Sequence, residues 1–319
     1  MKEVRFVAVG ECMVELFSED PVPVHAAERF RCSFGGDALQ AAMTAANLGT
    51  RSAVATVVGD DPFAGSLISW LERSGISTDL IVRRAGFTGM YLISLDRAGE
   101  RSFAYYRRGS AASTLDPASV AWPDPPEALL VSGITQAISE SSRSAALDSA
   151  RRTRDAGGLV VFDVNYRPSL WGDDTGAARQ AFDEIMPLCH VIRAAAPDET
   201  TVVLDEPDAT RAARSLASRG PSIALIGCGA EGAVVASQGS VEKVAVPTVE
   251  CLDTTGAGDA LTGGFVHGLL AGLSPPEAAR VGVAAGSLAV TRRGGGPAIP
   301  GGDEITAVAA SMQAPISVT

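Results

Sequence analysis

One short segment, Asp253-Thr254-Thr255-Gly256-Ala257-Gly258-Asp259-Ala260, combines small residues with carboxylates. The residues that follow are small and apolar up to Leu270, which predicts a helix that starts near Ala257. Gly256, Ala257 and Gly258 then lie at the helix N-terminus, where backbone N–H groups and the helix dipole favour a bound phosphate. Asp259 would repel that phosphate, so it is useful there if it takes a proton from a hydroxyl that attacks the phosphate.

The same segment is compatible with two roles that involve no phosphate transfer. An aspartate in a first helical turn is favourable as a cap or as a partner of the helix dipole, whatever the protein does. The pair Gly256-x-Gly258 is also half of a dinucleotide-binding fingerprint, but Leu261 replaces the third glycine and no clean apolar strand precedes it. A dinucleotide site is therefore disfavoured, whereas a capping role for Asp259 stays open.

A glycine pair, Gly35-Gly36, precedes Asp37 at the predicted start of a helix that runs to about Leu48. Glycine lets the backbone approach a small polar ligand closely, which would make this pair a substrate contact. A plain helix entry capped by Asp37 accounts for the same residues equally well.

Tyrosines and arginines recur on a predicted hairpin formed by residues 90–95 and 102–107, joined through residues 96–100. Arg107 could bind a carboxylate, while Tyr91 and Tyr105 could hydrogen-bond hydroxyl groups. Because charge on an edge strand also prevents aggregation, an ordinary surface role stays open for the arginine.

Two further polar segments follow predicted strands, namely Asp163-Val164-Asn165-Tyr166-Arg167-Pro168 and Gly227-Cys228-Gly229-Ala230-Glu231-Gly232. The second is typical of a glycine-rich turn and does not by itself indicate a nucleotide site. Ligands of parallel α/β sheets bind beyond the carboxyl ends of the strands. We therefore expect Gly10, Asn165, Gly227 and residues 253–259 on one rim of the sheet.

Composition and charge narrow the possible functions. The 319 residues are 46% hydrophobic and 20% charged, which suits one large globular domain. The formal net charge of −11 argues against nucleic acid or an anionic membrane as partner, because both need clustered positive charge. Lys2 and Lys243 are the only lysines, which excludes a lysine-containing phosphate loop. Backbone amides and arginines must bind any phosphate.

Histidines and cysteines give little support to metal or redox chemistry. His25, His190 and His267 are scattered without metal-ligand spacing, which also disfavours a Ser-His-Asp triad. The five cysteines include no Cys-x-x-Cys pair and no signal sequence precedes them, so we expect reduced thiols and a cytoplasmic location. No apolar run approaches the length that spans a bilayer.

From Ala128 onward the predicted strands and helices alternate regularly. Continuous apolar strands such as residues 159–162 are typical of a parallel sheet covered on both faces. We expect an α/β fold with a doubly wound, mostly parallel sheet, one domain over residues 1–319, and a small sheet from about residues 11–34 and 88–109. Later strands are predicted over residues 191–193, 223–226, 234–236 and 244–246, and later helices over residues 208–219, 258–271, 275–290 and 304–312.

Together these residues resemble the ribokinase-like (PfkB) sugar kinases over nearly the whole chain. Residues 253–259 look like the C-terminal signature of that family, and Gly35-Gly36 matches its N-terminal signature. Within the family, three segments look like the 2-keto-3-deoxygluconate kinases: Tyr105-Tyr106-Arg107 with Ser110-Ala111-Ala112, Ser132-Gly133-Ile134-Thr135, and residues 163–167 through Trp171.

The resemblance implies ATP-dependent phosphorylation of a sugar-acid hydroxyl, with Asp259 as the base and the amides of Gly256, Ala257 and Gly258 holding the transferring phosphate. It implies substrate contacts at Gly35, Gly36, Tyr91, Tyr105, Arg107, Arg167 and Asp259. It implies nucleotide contacts at Asn165, Gly227, Gly229, Gly232, Gly256 and Gly258. Magnesium is implied near Glu199 through water, and a monovalent cation such as potassium near Asp253 and Thr255. The small sheet is implied to be a lid that pairs subunits into a homodimer or a higher oligomer.

Three positions depart from the family pattern. Gln40 stands where asparagine is usual after the glycine pair, one methylene longer. Ala196 replaces the asparagine of an Asn-x-x-Glu motif whose glutamate, Glu199, is present. Gly227 stands where relatives often have lysine.

Two alternatives to a sugar-acid kinase stay open. A fructokinase or another neutral-sugar kinase would share the fold, although Arg107 and Arg167 would then face a neutral sugar unpaired. A sensor that binds a sugar acid without turnover is the alternative from another class, and the intact Asp259 argues against it.

Overall fold

In the computed structural model the described residues are 4–96, 101–122, 124–172 and 174–318, and they form two β-sheets with helices around the larger one. The strands are β1 (Phe6–Val9), β2 (Met13–Ser18), β3 (Phe30–Gly35), β4 (Ser52–Val58), β5 (Ile81–Arg83), β6 (Met90–Leu95), β7 (Arg101–Tyr106), β8 (Ala128–Ser132), β9 (Leu159–Asp163), β10 (Val191–Ala195), β11 (Ile223–Gly227), β12 (Ala233–Ser237), β13 (Ser240–Val244) and β14 (Ile316–Ser317). The helices are α1 (Asp37–Asn47), α2 (Pro62–Arg73), α3 (Gly133–Ile138), α4 (Glu140–Asp155), α5 (Pro168–Trp171), α6 (Thr175–Ile185), α7 (Asp198–Leu204), α8 (Ala209–Ser218), α9 (Ala257–Leu270), α10 (Pro275–Ala289) and α11 (Gly302–Ser311).

The larger sheet has the strand order β14-β13-β12-β11-β10-β9-β8-β1-β4-β5. Strands β5 to β11 along this order are parallel neighbours, and β12, β13 and β14 are added antiparallel at one edge. Successive side chains of a strand point to opposite faces. Phe6 and Ala8 accordingly pack with α1 and α9, while Val7 and Val9 pack with α4, α6 and α8. The predicted doubly wound, mostly parallel sheet is confirmed.

The smaller sheet has the order β3-β2-β6-β7, with β2 and β6 parallel and the outer pairs antiparallel. Its strands β6 and β7 lie within one residue of the hairpin strands predicted over residues 90–95 and 102–107, and β2 and β3 lie within the predicted residues 11–34 except for Gly35. The predicted hairpin connection at residues 97–100 lies outside the described residues. Phe103 and Tyr105 stack on each other on β7 with ring centroids 5.8 Å apart, and both are partly exposed.

The structure corrects several sequence predictions. The strand predicted over residues 244–246 lies instead at Ser240–Val244, because Gln238 and Gly239 both have positive φ and form a tight hairpin turn after β12. Most residues of β13 are polar, so the sequence pattern does not predict this strand. Helices α3, α5 and α7 were not predicted, since helices of four to seven residues show too few turns for a hydrophobic period.

Helix α9 lies unusually close to its neighbour α10. A Cβ atom at Gly264 would come within 2.9 Å of the Gly282 Cα, and one at Gly268 within 2.7 Å of the Ala278 Cα. Thr262 also donates a hydrogen bond to Asp163 Oδ2, 2.9 Å away, which ties α9 to the carboxyl end of β9. These contacts fix the position of the α9 N-terminus relative to the sheet.

Among the described residues, no helix combines the length and apolar character needed to cross a bilayer.

Candidate active site

A cavity of about 370 Å³ lies between the small sheet and the carboxyl ends of the central strands. Its lining residues come from the small sheet, from the first turns of α1, α3 and α9 and from the loops beside them: Glu11, Met13, Gly36, Asp37, Gln40, Tyr91, Arg101, Phe103, Tyr105, Arg107, Ile134, Arg167, Thr254, Thr255, Gly256 and Asp259. All the residues predicted to contact substrate except Gly35 line this cavity. The predicted nucleotide residues Asn165, Gly227, Gly229, Gly232 and Gly258 do not. Glu11, Met13, Arg101, Phe103 and Ile134 were not singled out, because an isolated residue of these types carries no local signal of a site.

The N-terminus of α9 borders this cavity, as the sequence predicts. Gly256 precedes the helix with φ +76°, a conformation that favours glycine, and a Cβ there would lie 2.7 Å from Gln40 Oε1. The Ala257 N–H already donates to the Thr254 carbonyl at 3.3 Å. The amides next to it in the first turn have no acceptor within the helix and can bind an anion.

Asp259 lies in the first turn of α9 and faces the cavity. Its pKa rises to about 7, mainly because the surrounding protein removes water and also because Asp37 and Asp163 are close. Arg167 and Arg193 act in the opposite direction. A carboxylate with a pKa near neutrality is well suited to accept a proton as a general base.

Asp37, one of the two acids that raise the pKa of Asp259, is the first residue of α1. Its Oδ2 accepts a hydrogen bond from Ser132 Oγ at 2.5 Å and a longer one from Asn165 Nδ2 at 3.4 Å. Asn165 has φ +36° and is buried. Asp37 is therefore more than a helix cap, since it ties α1 to the ends of β8 and β9 beside Asp259.

Arg107 follows β7 and forms an ion pair with Glu11, which lies between β1 and β2. The side chains are 10% and 1% exposed, respectively. Burial raises the pKa of Glu11 to about 7, and the nearby guanidinium opposes this rise. Arg107 also lies over the Tyr105 ring, with its Cζ 5.3 Å from the ring centroid. The positive charge predicted to meet a substrate carboxylate thus already has a protein partner.

The other predicted substrate residues differ in how freely they face the cavity. Arg167 is the more open arginine, with 46% of its side chain exposed and its Nη1 3.8 Å from Glu199 Oε1. The Tyr91 hydroxyl donates to Glu15 Oε2 at 2.5 Å, so it turns towards the protein. A Cβ at Gly35 would collide with that hydroxyl. Gly35 therefore makes room for Tyr91, whereas Gly36 borders the cavity itself.

Glu199, the residue predicted to act near magnesium, is buried at the start of α7. Its Oε2 accepts the Ala195 N–H at 2.7 Å and its Oε1 accepts the Tyr166 N–H at 3.2 Å. Each oxygen keeps a second acceptor position for a water molecule. In the described ranges no group of three or more His, Cys, Asp and Glu side chains forms a metal site. The arrangement therefore fits a magnesium ion that enters bound to a nucleotide and that Glu199 would contact through a water molecule.

Asp253 is buried and its carboxylate oxygens are well occupied. Oδ1 accepts the Thr255 N–H at 3.0 Å and the Thr255 hydroxyl at 2.7 Å, and Oδ2 accepts the Gly294 N–H at 2.9 Å. Arg101 of the small sheet places its Nη1 3.8 Å from Oδ1. The monovalent cation that the resemblance implies near Asp253 and Thr255 stays a prediction, and there it would share the carboxylate with the Arg101 guanidinium.

The turn from Gly227 to Gly232 connects β11 and β12 beside the site. A Cβ at Gly227 would lie 3.5 Å from Arg193 Nη2. Gly229 and Gly232 have φ +55° and +93°, which the turn itself requires, and neither lines the cavity. Their contact with a nucleotide stays a prediction.

Comparisons with known proteins agree on one family. The profile of the pfkB family of carbohydrate kinases matches residues 4–301. The 2-dehydro-3-deoxygluconokinase of Thermoproteus tenax is 31% identical over 93% of this chain and 91% of its own, and a fructokinase of Vibrio alginolyticus is 28% identical over 91% and 94%.

Solved structures give the same fold. The PfkB protein from Polaromonas sp. JS666 has a TM-score of 0.85 at 27% identity and covers 95% of this chain and 99% of its own. An E. coli protein described as a ribokinase II, solved with ATP and Mg²⁺, has a TM-score of 0.86 at 22% identity over 95% and 98% of the two chains. At 22% identity the similarity to this second structure supports the fold alone.

Proposed function

The chain belongs to the pfkB family of carbohydrate kinases and is an ATP-dependent sugar kinase, and we propose that its substrate is a sugar acid, 2-keto-3-deoxygluconate. The product would be the 6-phosphate of that compound, which is also called 2-dehydro-3-deoxygluconate. The observation that carries this proposal is that Asp259 faces the same cavity as Arg107 and Arg167, two of the three arginines that line it. Asp259 would then act as the base for a hydroxyl at one end of a small substrate, and the arginines would bind a carboxylate at its other end.

In the proposed reaction the terminal hydroxyl of the sugar acid attacks the γ-phosphorus of ATP. The new O–P bond forms as the bond from that phosphorus to the β–γ bridging oxygen breaks, and ADP leaves with the bridging oxygen. Asp259 takes the hydroxyl proton, and its pKa of about 7 leaves a substantial fraction of the carboxylate ionised at neutral pH. The first-turn amides of α9 would stabilise charge on the transferring oxygens.

ATP would enter with Mg²⁺ bound to its phosphates. The ion neutralises phosphate charge when bound. In this chain the carboxylate oxygens of Glu199 would accept hydrogen bonds from a water molecule that is bound to the ion. Asn165 and the turn from Gly227 to Gly232 lie at the same rim of the sheet as the proposed phosphate site. No step is assigned to a monovalent cation, because Arg101 already accompanies Asp253.

The substrate carboxylate would lie between Arg167 and the ion pair of Arg107 with Glu11. Arg167 is the more exposed of the two arginines. Its Nη1 donates to the Tyr166 carbonyl at 3.0 Å, so the edge formed by Nε and Nη2 would bind the carboxylate. Arg107 is shared with Glu11, so a bound carboxylate would compete with Glu11 for the same guanidinium.

A neutral-sugar kinase such as a fructokinase is the second candidate. The ion pair of Arg107 with Glu11 favours it, since Glu11 neutralises one of the two arginines without any substrate. Arg167 would still face the neutral sugar with much of its charge uncompensated.

We further propose that the small sheet acts as a lid and pairs subunits into a homodimer. Tyr106 of its edge strand β7 is exposed and does not line the cavity, so a second subunit would cover this aromatic side chain without closing the site. Sedimentation equilibrium of the wild type and of Tyr106→Ser would test the pairing. A cytoplasmic location belongs to the same proposal, because ATP is the phosphoryl donor.

The decisive experiment is a coupled ADP-release assay with Mg²⁺ and ATP. 2-Keto-3-deoxygluconate, its galactonate epimer, fructose and ribose would be compared at equal concentrations. Turnover confined to the keto-deoxy acids supports the proposal. Turnover of fructose or ribose instead would replace the substrate class, and binding of a sugar acid without turnover would favour a sensor.

A further inference from the structure

Arg193 lies in the middle of β10, a strand flanked by β9 and β11 in the centre of the sheet. Only 9% of its side chain is exposed. Burying an arginine is costly unless acids and hydrogen-bond acceptors surround the guanidinium. Here Nη1 provides the compensation, since it lies 3.0 Å from Asp163 Oδ1 and 3.6 Å from Glu199 Oε2.

The rest of the guanidinium points to the start of α9. A Cβ at Gly258 would lie 2.6 Å from Arg193 Nη2, and one at Gly227 would lie 3.5 Å away. Gly258 and Gly227 therefore border Nη2, and a side chain at Gly258 would displace it. Arg193 Nε is also buried and has no hydrogen-bond partner among the described residues. The side chain keeps donor groups that the protein does not use.

Nη2 of Arg193 points to the N-terminus of α9, which by itself is an electrostatically unfavourable position for a cation. The N-terminus of a helix carries partial positive charge and uncovered N–H donors, and a cation placed there is repelled. Nη1 of Arg193 ends on the acceptors Asp163 and Glu199, whereas Nη2 lies beside Gly258 in the first turn of α9, where the backbone amides donate. An anion between Arg193 Nη2 and the first turn of α9 would satisfy both.

Asp259 is part of the same arrangement, because Arg193 lies close enough to lower the pKa of that carboxyl. The attacking oxygen, which would approach Asp259, therefore lies near Arg193 as well. Arg167 also acts on Asp259 but lies on the sugar side of the cavity, and 46% of its side chain is exposed. Arg193 is the buried cation on the phosphate side.

We propose that Arg193 is a catalytic residue whose Nη2 donates a hydrogen bond to an oxygen of the transferring phosphoryl group. It would act together with the first-turn amides of α9, while Nη1 stays paired with Asp163. This deepens the proposed function, since it rests on Asp259 and α9 as the site of phosphoryl transfer. A donor placed where charge develops in the transition state lowers the barrier more than it strengthens ground-state binding.

The test uses Arg193→Lys and Arg193→Met in the full chain. Lysine keeps a charge for Asp163 but lacks the second nitrogen that reaches α9. We expect kcat to fall by about 10²-fold to 10³-fold in both variants, with little change in KM for the sugar. Arg211→Lys, which alters an exposed ion pair with Glu206, is the matched control and should retain full activity.

A binding measurement separates catalysis from structure. Titration calorimetry with Mg·ADP alone and with Mg·ADP plus aluminium fluoride, a mimic of the transferring phosphoryl group, would be run with sugar present. In Arg193→Lys we expect unchanged affinity for ADP and a loss of the additional affinity for the fluoride complex. Unchanged affinity for both, or an equal loss for both, would overturn the proposal.

Arg193→Met could fail to fold, because it leaves Asp163 and Glu199 without their cation. Gly258→Ala then provides an independent variant, since its new methyl group displaces Nη2 while the charge of Arg193 is kept. It should reproduce the loss in kcat, and normal kcat would count against the proposal. If the wild type turned over none of the sugars, the proposed function would fail, and the aluminium fluoride titration would still decide the role of Arg193.

Discussion

The carboxylate of Glu11 and the guanidinium of Arg107 form an ion pair in the wall of the candidate active site, with 1% and 10% of the side chains exposed. A buried pair of this kind is kept only while both partners are present, because either charge alone is expensive. A sugar acid that binds beside Arg107 brings a second carboxylate to a cation that is already neutralised. We therefore expect the pair to influence how strongly the site prefers acids over neutral sugars.

Glu11→Gln is expected to strengthen binding of a sugar acid. The amide keeps the volume of Glu11 and removes its negative charge, which frees Arg107 for the substrate. We expect KM for the sugar acid to fall by about tenfold, equivalent to about 1.4 kcal/mol, with KM for ATP unchanged. Steady-state kinetics measure both, with Glu206→Gln at the exposed Arg211 pair as control. A higher KM would show that Glu11 itself contacts the sugar.

Asp259→Asn is expected to abolish most of the phosphoryl transfer. An amide cannot accept the hydroxyl proton, so kcat should drop by on the order of 10²-fold to 10⁴-fold. ADP affinity by calorimetry should be unchanged, as should the activity of Asp303→Asn, which alters an acid in the first turn of α11. Activity within a few fold of wild type would mean that Asp259 is not the base and serves as a helix cap.

The pH profile should report the same carboxyl. Its pKa is raised from 3.8 to about 7, so the basic form is lost as pH falls below neutrality and is fully present above it. At saturating sugar acid, kcat/KM for ATP should decrease about tenfold per pH unit below the apparent pKa and level off above it. Glu11→Gln should keep this profile, which separates Asp259 from the second group with a pKa near 7. A flat profile between about pH 5 and 7 would contradict the assignment.

Arg101 gives a prediction about potassium. Because its guanidinium accompanies the buried Asp253, replacing potassium chloride by choline chloride at equal ionic strength should leave wild-type kcat nearly unchanged. Arg101→Gln removes that partner, so its kcat should become dependent on potassium. The readout is kcat across a potassium titration of both proteins. A wild-type kcat that depends on potassium would contradict this prediction and would support the cation site that the resemblance implies near Asp253.

The parts of the fold that have strong local periods could be predicted from the sequence. The apolar strands of the parallel sheet, the alternating strands of the small sheet and the start of α9 lie within about two residues of their predicted positions. The short helices α3, α5 and α7 and the polar strand β13 could not be predicted in this way, because packing and a tight turn decide them.

For the site, residue types could be predicted but their partners could not. Gly36, Tyr91, Arg107 and Asp259 do line one cavity. That Glu11 neutralises Arg107, or that Ser132 donates to Asp37, follows only from contacts between residues about one hundred positions apart. Arg193 showed no signal either, since one arginine inside an apolar strand has no neighbour in sequence that indicates its role.

The order of the site residues along the chain has a consequence for biosynthesis. Asp37, Asp163 and Arg193 are translated before Asp259, because α9 follows α1, β9 and β10 in the chain. Contacts of this range form late in folding because distant segments must first be brought together. A nascent chain would thus have its acids and its buried arginine in place before it has a base.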